Sequence, residues 1–202
     1  KIAMRDLEIR GAGNILGPEQ HGFIASVGFE LYCRLLEESV RELKGEVVAD
    51  PPDPVIDLTI DAYIPDDYIS DSRQKVEMYK KVVSVRKTAD IQDLEDEFVD
   101  RFGDMPEPVM NLLAVARMKA IAREVGVGQI SQARDGVEIR LLNGLDLPRM
   151  VSNAVLRRFR GDVILLPGRL QGFKVRSLGL SSAALLTLLG DILIEMKAHW
   201  TD

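Results

Sequence analysis

The chain has 202 residues, 46% of them hydrophobic and 29% charged, and a formal net charge of −6. That is the composition of a folded globular chain with room for one ordinary domain and an appendage, and its acidic balance argues against a surface that coats nucleic acid throughout. No apolar run approaches the roughly 20 residues needed to cross a bilayer, and nothing resembles a signal peptide. The single cysteine, Cys33, excludes an internal disulfide and a cysteine-cluster metal site, which fits a reducing cytoplasm.

In chain order, Lys1 stands where an initiator methionine would, and the first residues read as the interior of something longer. Residues 6–22, Asp-Leu-Glu-Ile-Arg-Gly-Ala-Gly-Asn-Ile-Leu-Gly-Pro-Glu-Gln-His-Gly, hold four glycines without an amphipathic period. Residues 28–44 predict a helix. At 100° per residue, Phe29, Tyr32, Cys33, Leu36, Val40 and Leu43 fall within roughly 100° of one another. Gly45–Pro54 then carries three prolines and three acids in ten residues, which reads as a stiff, extended linker.

After the linker, Leu58, Ile60, Ala62 and Ile64 alternate with polar residues and predict a half-buried strand that Pro65 ends. Residues 70–87 and 89–102 predict helices, the second with Ile91, Leu94, Phe98 and Phe102 on one face. A third helix runs from Glu107 to Arg123, entered through Pro106 and Pro108, with Val109, Leu112, Leu113, Ala116 and Ala120 inward. Val127–Leu142 predicts a hairpin around Asp135-Gly136, a dipeptide suited to positive φ. A helix over Leu147–Phe159 follows, then a second hairpin over Val163–Leu178 around Pro167-Gly168. A closing helix spans Ser181–His199, with Ser181 or Ser182 as N-cap. The fold class is therefore α+β. A loop–helix motif (1–46) and a linker (47–56) precede a compact α+β domain (57–202) with two hairpin–helix units and a helical layer.

Few residues invite chemistry. Cys33 lies on the apolar stripe of its helix and reads as a core thiol. His21 and His199 share no ligand spacing, and no nucleophile–base arrangement or poised carboxylate pair stands out. Gly11-x-Gly13-x-x-x-Gly17 is a poor phosphate loop, because no helix opens within it and no Lys-Ser/Thr follows. Two charge patterns remain. Asp93, Asp96, Glu97 and Asp100 lie opposite the apolar face of their helix, either as a solvated face or as a docking strip. Between Asp146 and Arg176, seven basic residues stand against two acids. Arg149, Arg157, Arg158 and Arg160 lead that segment, 149–176, and admit a DNA-backbone reading, although no aromatic residues interleave as in single-strand binders.

The glycine-rich stretch resembles the translocation motif shared by transcription-repair coupling factors and RecG-type DNA translocases, Arg-Gly-x-Gly-x-x-x-Gly-x-x-Gln-x-Gly. Arg10, Gly11, Gly13, Gly17, Gln20 and Gly22 match every one of those positions. Beyond it, Tyr63-Ile-Pro-Asp-Asp-Tyr-Ile69, Lys75-Val-Glu-Met-Tyr-Lys80 and Asp100-Arg-Phe-Gly-Asp-Met-Pro-Glu-Pro108 resemble the C-terminal domain of the coupling-factor family.

The resemblance implies a fragment with no catalytic site and no cofactor of its own. The parent would be a helicase-like translocase of double-stranded DNA whose ATP and Mg bind motor domains upstream, and this chain would hold only the second half of its motif. Arg10 and Gln20 would relay ATP-driven lobe closure into movement on DNA. The C-terminal domain would fold back on the N-terminal repair module, cover the surface that recruits the excision-repair protein UvrA, and restrain the motor until RNA polymerase is engaged. A DNA-binding role for the basic segment is the rival reading.

Overall fold

The computed structural model describes residues 53–177 and 179–200. Arg10, Gly11, Gly13, Gly17, Gln20, Gly22, His21, Cys33, the helix expected over 28–44 and most of the linker lie outside them. The described residues form five helices and one five-stranded sheet. In chain order these are β1 (Val55–Asp57), α1 (Ser72–Ser84), α2 (Thr88–Phe102), α3 (Glu107–Glu124), β2 (Val127–Ala133) and β3 (Gly136–Leu141), then α4 (Arg149–Arg158), β4 (Val163–Leu166), β5 (Gly172–Val175) and α5 (Ser182–His199). The mixed α+β class read from the sequence is the observed one.

Local chemistry sets the helix ends. The Asp71 carboxylate accepts from the Arg73 and Gln74 amides, both at 2.9 Å, and starts α1. Asp90, in the first turn of α2, reaches back to the Lys87 amide at 3.0 Å, and Gly103 ends that helix at φ +83°. Pro106 and Pro108 fix the first turn of α3, where missing amides cost nothing. The Ser181 hydroxyl, rather than that of Ser182, caps α5 by accepting from the Ala184 amide at 3.2 Å.

Helix α3 is the centre of the domain. The sequence names one inward face; the structure also buries Val115, Met118, Ile121 and Ala122. The reason is its position, since α3 packs against α1, α2 and α5 as well as β1 and β2. A helix covered on several sides is apolar around most of its circumference.

The sheet runs β1-β2-β3-β5-β4, with β1 parallel to β2 and every other pair antiparallel. Both predicted hairpins form, and β3 pairs with β5, so the two hairpin–helix units share one sheet. Ile130, Val137, Ile139, Phe173 and Val175 are buried, while Gln129, Ser131, Glu138, Arg140 and Lys174 between them are not. Helices therefore cover one face of the sheet.

Three details differ from the sequence expectation. Leu58–Ile64 is not a strand. Its alternation of burial is real, with Ala62 and Ile64 buried, but its backbone is satisfied by helices instead of a ladder. The Tyr63 amide donates to the Pro108 carbonyl at 3.3 Å and the Ile64 amide to the Tyr79 hydroxyl at 2.8 Å, while Asn111 donates to the Asp61 carbonyl at 2.9 Å. Period-two burial marks any extended chain lying on a surface, not only a paired strand. The strand forms instead at Val55–Asp57, so the boundary placed at 56/57 falls inside β1. Finally, neither Asp135 nor Gly136 has a positive φ. Gly136 is where a Cβ would run into the Val175 carbonyl of β5, so close approach, not turn geometry, demands the glycine.

Candidate docking surface on helix α2

Helix α2 turns Ile91, Leu94 and Phe98 into the core. Phe98 and Phe102 pack with Tyr68 at ring separations of 6.0–6.4 Å, and the Tyr68 hydroxyl donates to the Gly103 carbonyl at 2.9 Å. The Asp100-Arg101-Phe102-Gly103 run thus has four separate tasks. Phe102 closes the aromatic cluster, Gly103 stops the helix, Arg101 joins a charge network, and Asp100 faces solvent.

The four acids predicted as one strip divide into two groups. Asp93, Asp96 and Asp100 are exposed and have no basic partner among the described residues. At 100° per residue they span roughly 60° of the helix surface, and their one polar contact is Gln92 to Asp96 at 3.4 Å. Glu97 turns toward α1. Its Oε1 accepts from Lys81 Nζ at 2.5 Å and from Arg101 Nη1 at 2.6 Å, and Glu77 completes the network with Arg101 at 3.1 Å and Lys81 at 3.2 Å. The hydrogen bond from Lys81, then that from Arg101, holds the Glu97 carboxyl below the ordinary range. On the other flank Glu95 pairs with Arg117 of α3 at 2.7 Å. These two sets of ion pairs tie α2 to its neighbours and leave the three aspartates outward.

The residues Glu77, Lys81 and Arg101 escaped the sequence reading. A trace of them was visible, because Glu77/Lys81 and Glu97/Arg101 are both i,i+4 pairs of opposite charge. What sequence could not show is that α1 and α2 bring the two pairs together.

The basic segment divides as well. Arg158 pairs with Glu195 of α5 at 2.6 Å and lies over the Phe159 ring at 5.4 Å, and Lys174 pairs with Asp135 at 2.5 Å. Arg149, Arg157 and Arg160 are exposed and form no ion pair among the described residues. His199 contacts Glu195 at 3.1 Å. Among the described residues no group of three His, Cys, Asp or Glu side chains could hold a metal ion, and no helix is long and apolar enough to cross a membrane.

Residues 58–148 match the family model described as the TRCF domain. Over 142 residues the chain is 49% identical to the transcription-repair-coupling factor of Bacillus subtilis (strain 168), an alignment covering 70% of this chain and 12% of that protein. It is 46% identical over 143 residues to the protein of the same name from Staphylococcus haemolyticus (strain JCSC1435), with the same coverage of both chains. The chain therefore matches about an eighth of the length of these relatives. The fold is similar to a crystal structure of the C-terminal domain of transcription-repair coupling factor, with a TM-score of 0.63 and 26% identity over 73% of this chain and 95% of that one. Helix α2 and the aromatic corner from Tyr68 to Gly103 fall within residues 58–148, and the chain belongs to the transcription-repair coupling factor family, of which it carries the C-terminal domain.

Proposed function

We propose that this domain is a regulatory docking module of a longer ATP-driven translocase of double-stranded DNA, one that couples transcription to nucleotide excision repair. The observation that carries the reading is the strip of Asp93, Asp96 and Asp100. Three like charges stand unpaired on a helix that ion pairs to α1 and α3 hold in place. Like charges on one helix face repel mildly, by a few tenths of a kcal/mol per i,i+4 pair. A basic surface on the N-terminal repair module of the same protein relieves that repulsion and supplies charge complementarity. While docked, the domain covers the surface that recruits UvrA and restrains the motor; engagement of RNA polymerase displaces it. ATP and Mg belong to motor domains upstream, and residues 1–22 relay hydrolysis into movement on DNA through Arg10 and Gln20.

The test is Asp96→Lys with Asp100→Lys in the full-length protein. Both side chains are exposed and stand apart from the Glu97 network, so the fold should persist. Release of the docked state should raise both ATP hydrolysis and affinity for UvrA. If both stay unchanged while far-UV circular dichroism shows the native fold, the strip is a solvated face and the reading fails. For the relay, Arg10→Ala and Gln20→Ala should cut translocation far more than ATP hydrolysis. Loss of the two in proportion would place these residues in the hydrolytic machinery instead.

A further inference from the structure

Strand β4 lies at the free edge of the sheet. The Arg176 amide donates to the Asp162 carbonyl at 2.8 Å, and the register pairs Val163 with Val175, so 162/176, 164/174 and 166/172 are the pairs that exchange hydrogen bonds with β5. The backbone groups of Val163 and Leu165 therefore point away from the sheet. The Val163 amide is used by the Phe159 carbonyl at 3.2 Å. A bridge to Arg160 engages Val163 as well, which leaves the amide and carbonyl of Leu165 open along the edge.

Two further observations set this edge apart. Ile164 is 50% exposed and Leu165 44%, so apolar side chains border the open backbone on both faces of the sheet. Natural edges are commonly blunted with lysine, proline or an inward charge at such positions. The edge is also bracketed by cations. Arg160 and Arg176 lie at its first end and Arg169 in the loop at its far end, all exposed and without an ion pair among the described residues, against the one exposed acid Asp162. The four residues between them span about 13 Å.

We infer that the β4 edge accepts an extended peptide of a partner protein by strand addition, and that this peptide has two or three apolar residues flanked by carboxylates. Backbone pairing with Leu165 supplies register, Ile164 and Leu165 receive the alternate apolar side chains, and Arg160, Arg169 and Arg176 meet the flanking acids. A nucleic acid accounts for the arginines but leaves Ile164 and Leu165 unexplained, since phosphates gain nothing from them. The sequence Glu46-Val-Val-Ala-Asp50 has the composition such a peptide needs.

A synthetic Gly-Glu-Val-Val-Ala-Asp peptide, fluorescently labelled, is a probe of the required chemistry for the purified 202-residue chain. It should bind saturably. Methylating its backbone amides should weaken binding at least about tenfold, as should Leu165→Pro, which removes the outward donor. Arg160→Glu with Arg169→Glu, surface changes that leave the fold alone, should also weaken binding and flatten its salt dependence. Equal binding of the methylated peptide, or no binding at all, would overturn the proposal. So would a short DNA duplex that binds with a steep salt slope lost in Arg160→Glu/Arg169→Glu while the peptide does not bind, because the arginines would then be a phosphate patch. Sedimentation showing self-association that Leu165→Pro abolishes would equally overturn it, making the edge an interface between copies.

Discussion

Replacing Tyr79 with phenylalanine probes the least expected feature of the fold, the extended strap of residues 58–64 that lies on helices instead of in the sheet. Tyr79 is 1% exposed, and its hydroxyl accepts from the Ile64 amide at 2.8 Å. Ile64 is buried too, so Tyr79→Phe strands an amide donor away from water with little change of shape. A buried donor left unpaired costs about 1–3 kcal/mol. For a domain of this size each kcal/mol moves Tm by about 2–4 °C, which gives a drop of roughly 2–12 °C. Urea unfolding followed by far-UV circular dichroism measures it, and the m-value should not change, because the surface exposed on unfolding is the same. Were the strap a paired strand, its amides would be satisfied by the ladder, and Tyr79→Phe would stay within about 0.5 kcal/mol of the parent. A loss that small would refute the account of residues 58–64.

Other outcomes follow from single positions. Gly172→Ala drives a Cβ into the Ile139 carbonyl of a central strand, which cannot yield, and should cost about 1–3 kcal/mol or more. Gly190→Ala, inside α5 with nothing near its Cβ position, should stabilise by about 0.5–1 kcal/mol; thermal unfolding compares the two directly. Asp53 supplies a pH test. Burial pushes its carboxyl up, but the hydrogen bond and charge of Arg123, with Lys119 and Arg86, together hold it below the ordinary range. A depressed folded value means stability that is present above the unfolded value of about 4 and lost as pH falls through the folded one. Asp53→Asn should therefore flatten the fall of stability below about pH 4 and leave its slope near neutrality unchanged. Glu97→Lys should lower Tm by breaking the pairs with Lys81 and Arg101, whereas Asp100→Lys, outside that network, should not.

Much of the fold is legible because its determinants are local. The apolar spacing of Ile91, Leu94 and Phe98, the cap at Ser181 and the turn at Pro167-Gly168 each act within a few residues. The strap was illegible because its partners, Tyr79, Pro108 and Asn111, come from helices up to fifty positions away, and alternation alone does not say what an extended chain pairs with. β1 was illegible for a related reason. Three residues behind a proline run carry little signal, and only a parallel partner at Gln129–Ser131 makes them a strand. Gly136 was correctly placed at a hairpin for the wrong cause, since the Val175 carbonyl that excludes a side chain lies on a strand forty residues on. In the candidate site, helical periodicity found the outward aspartates Asp93, Asp96 and Asp100. It grouped Glu97 with them because the basic side chain that turns Glu97 inward, Lys81, sits on another helix.

Direct binding between this chain and the separately expressed N-terminal repair module of its own parent tests the central proposal most simply. Calorimetry should show a one-to-one complex that weakens as salt rises and is lost with Asp96→Lys/Asp100→Lys but kept with Gly190→Ala. A complex that ignores both salt and the double reversal, or no complex at all at low salt, would contradict it.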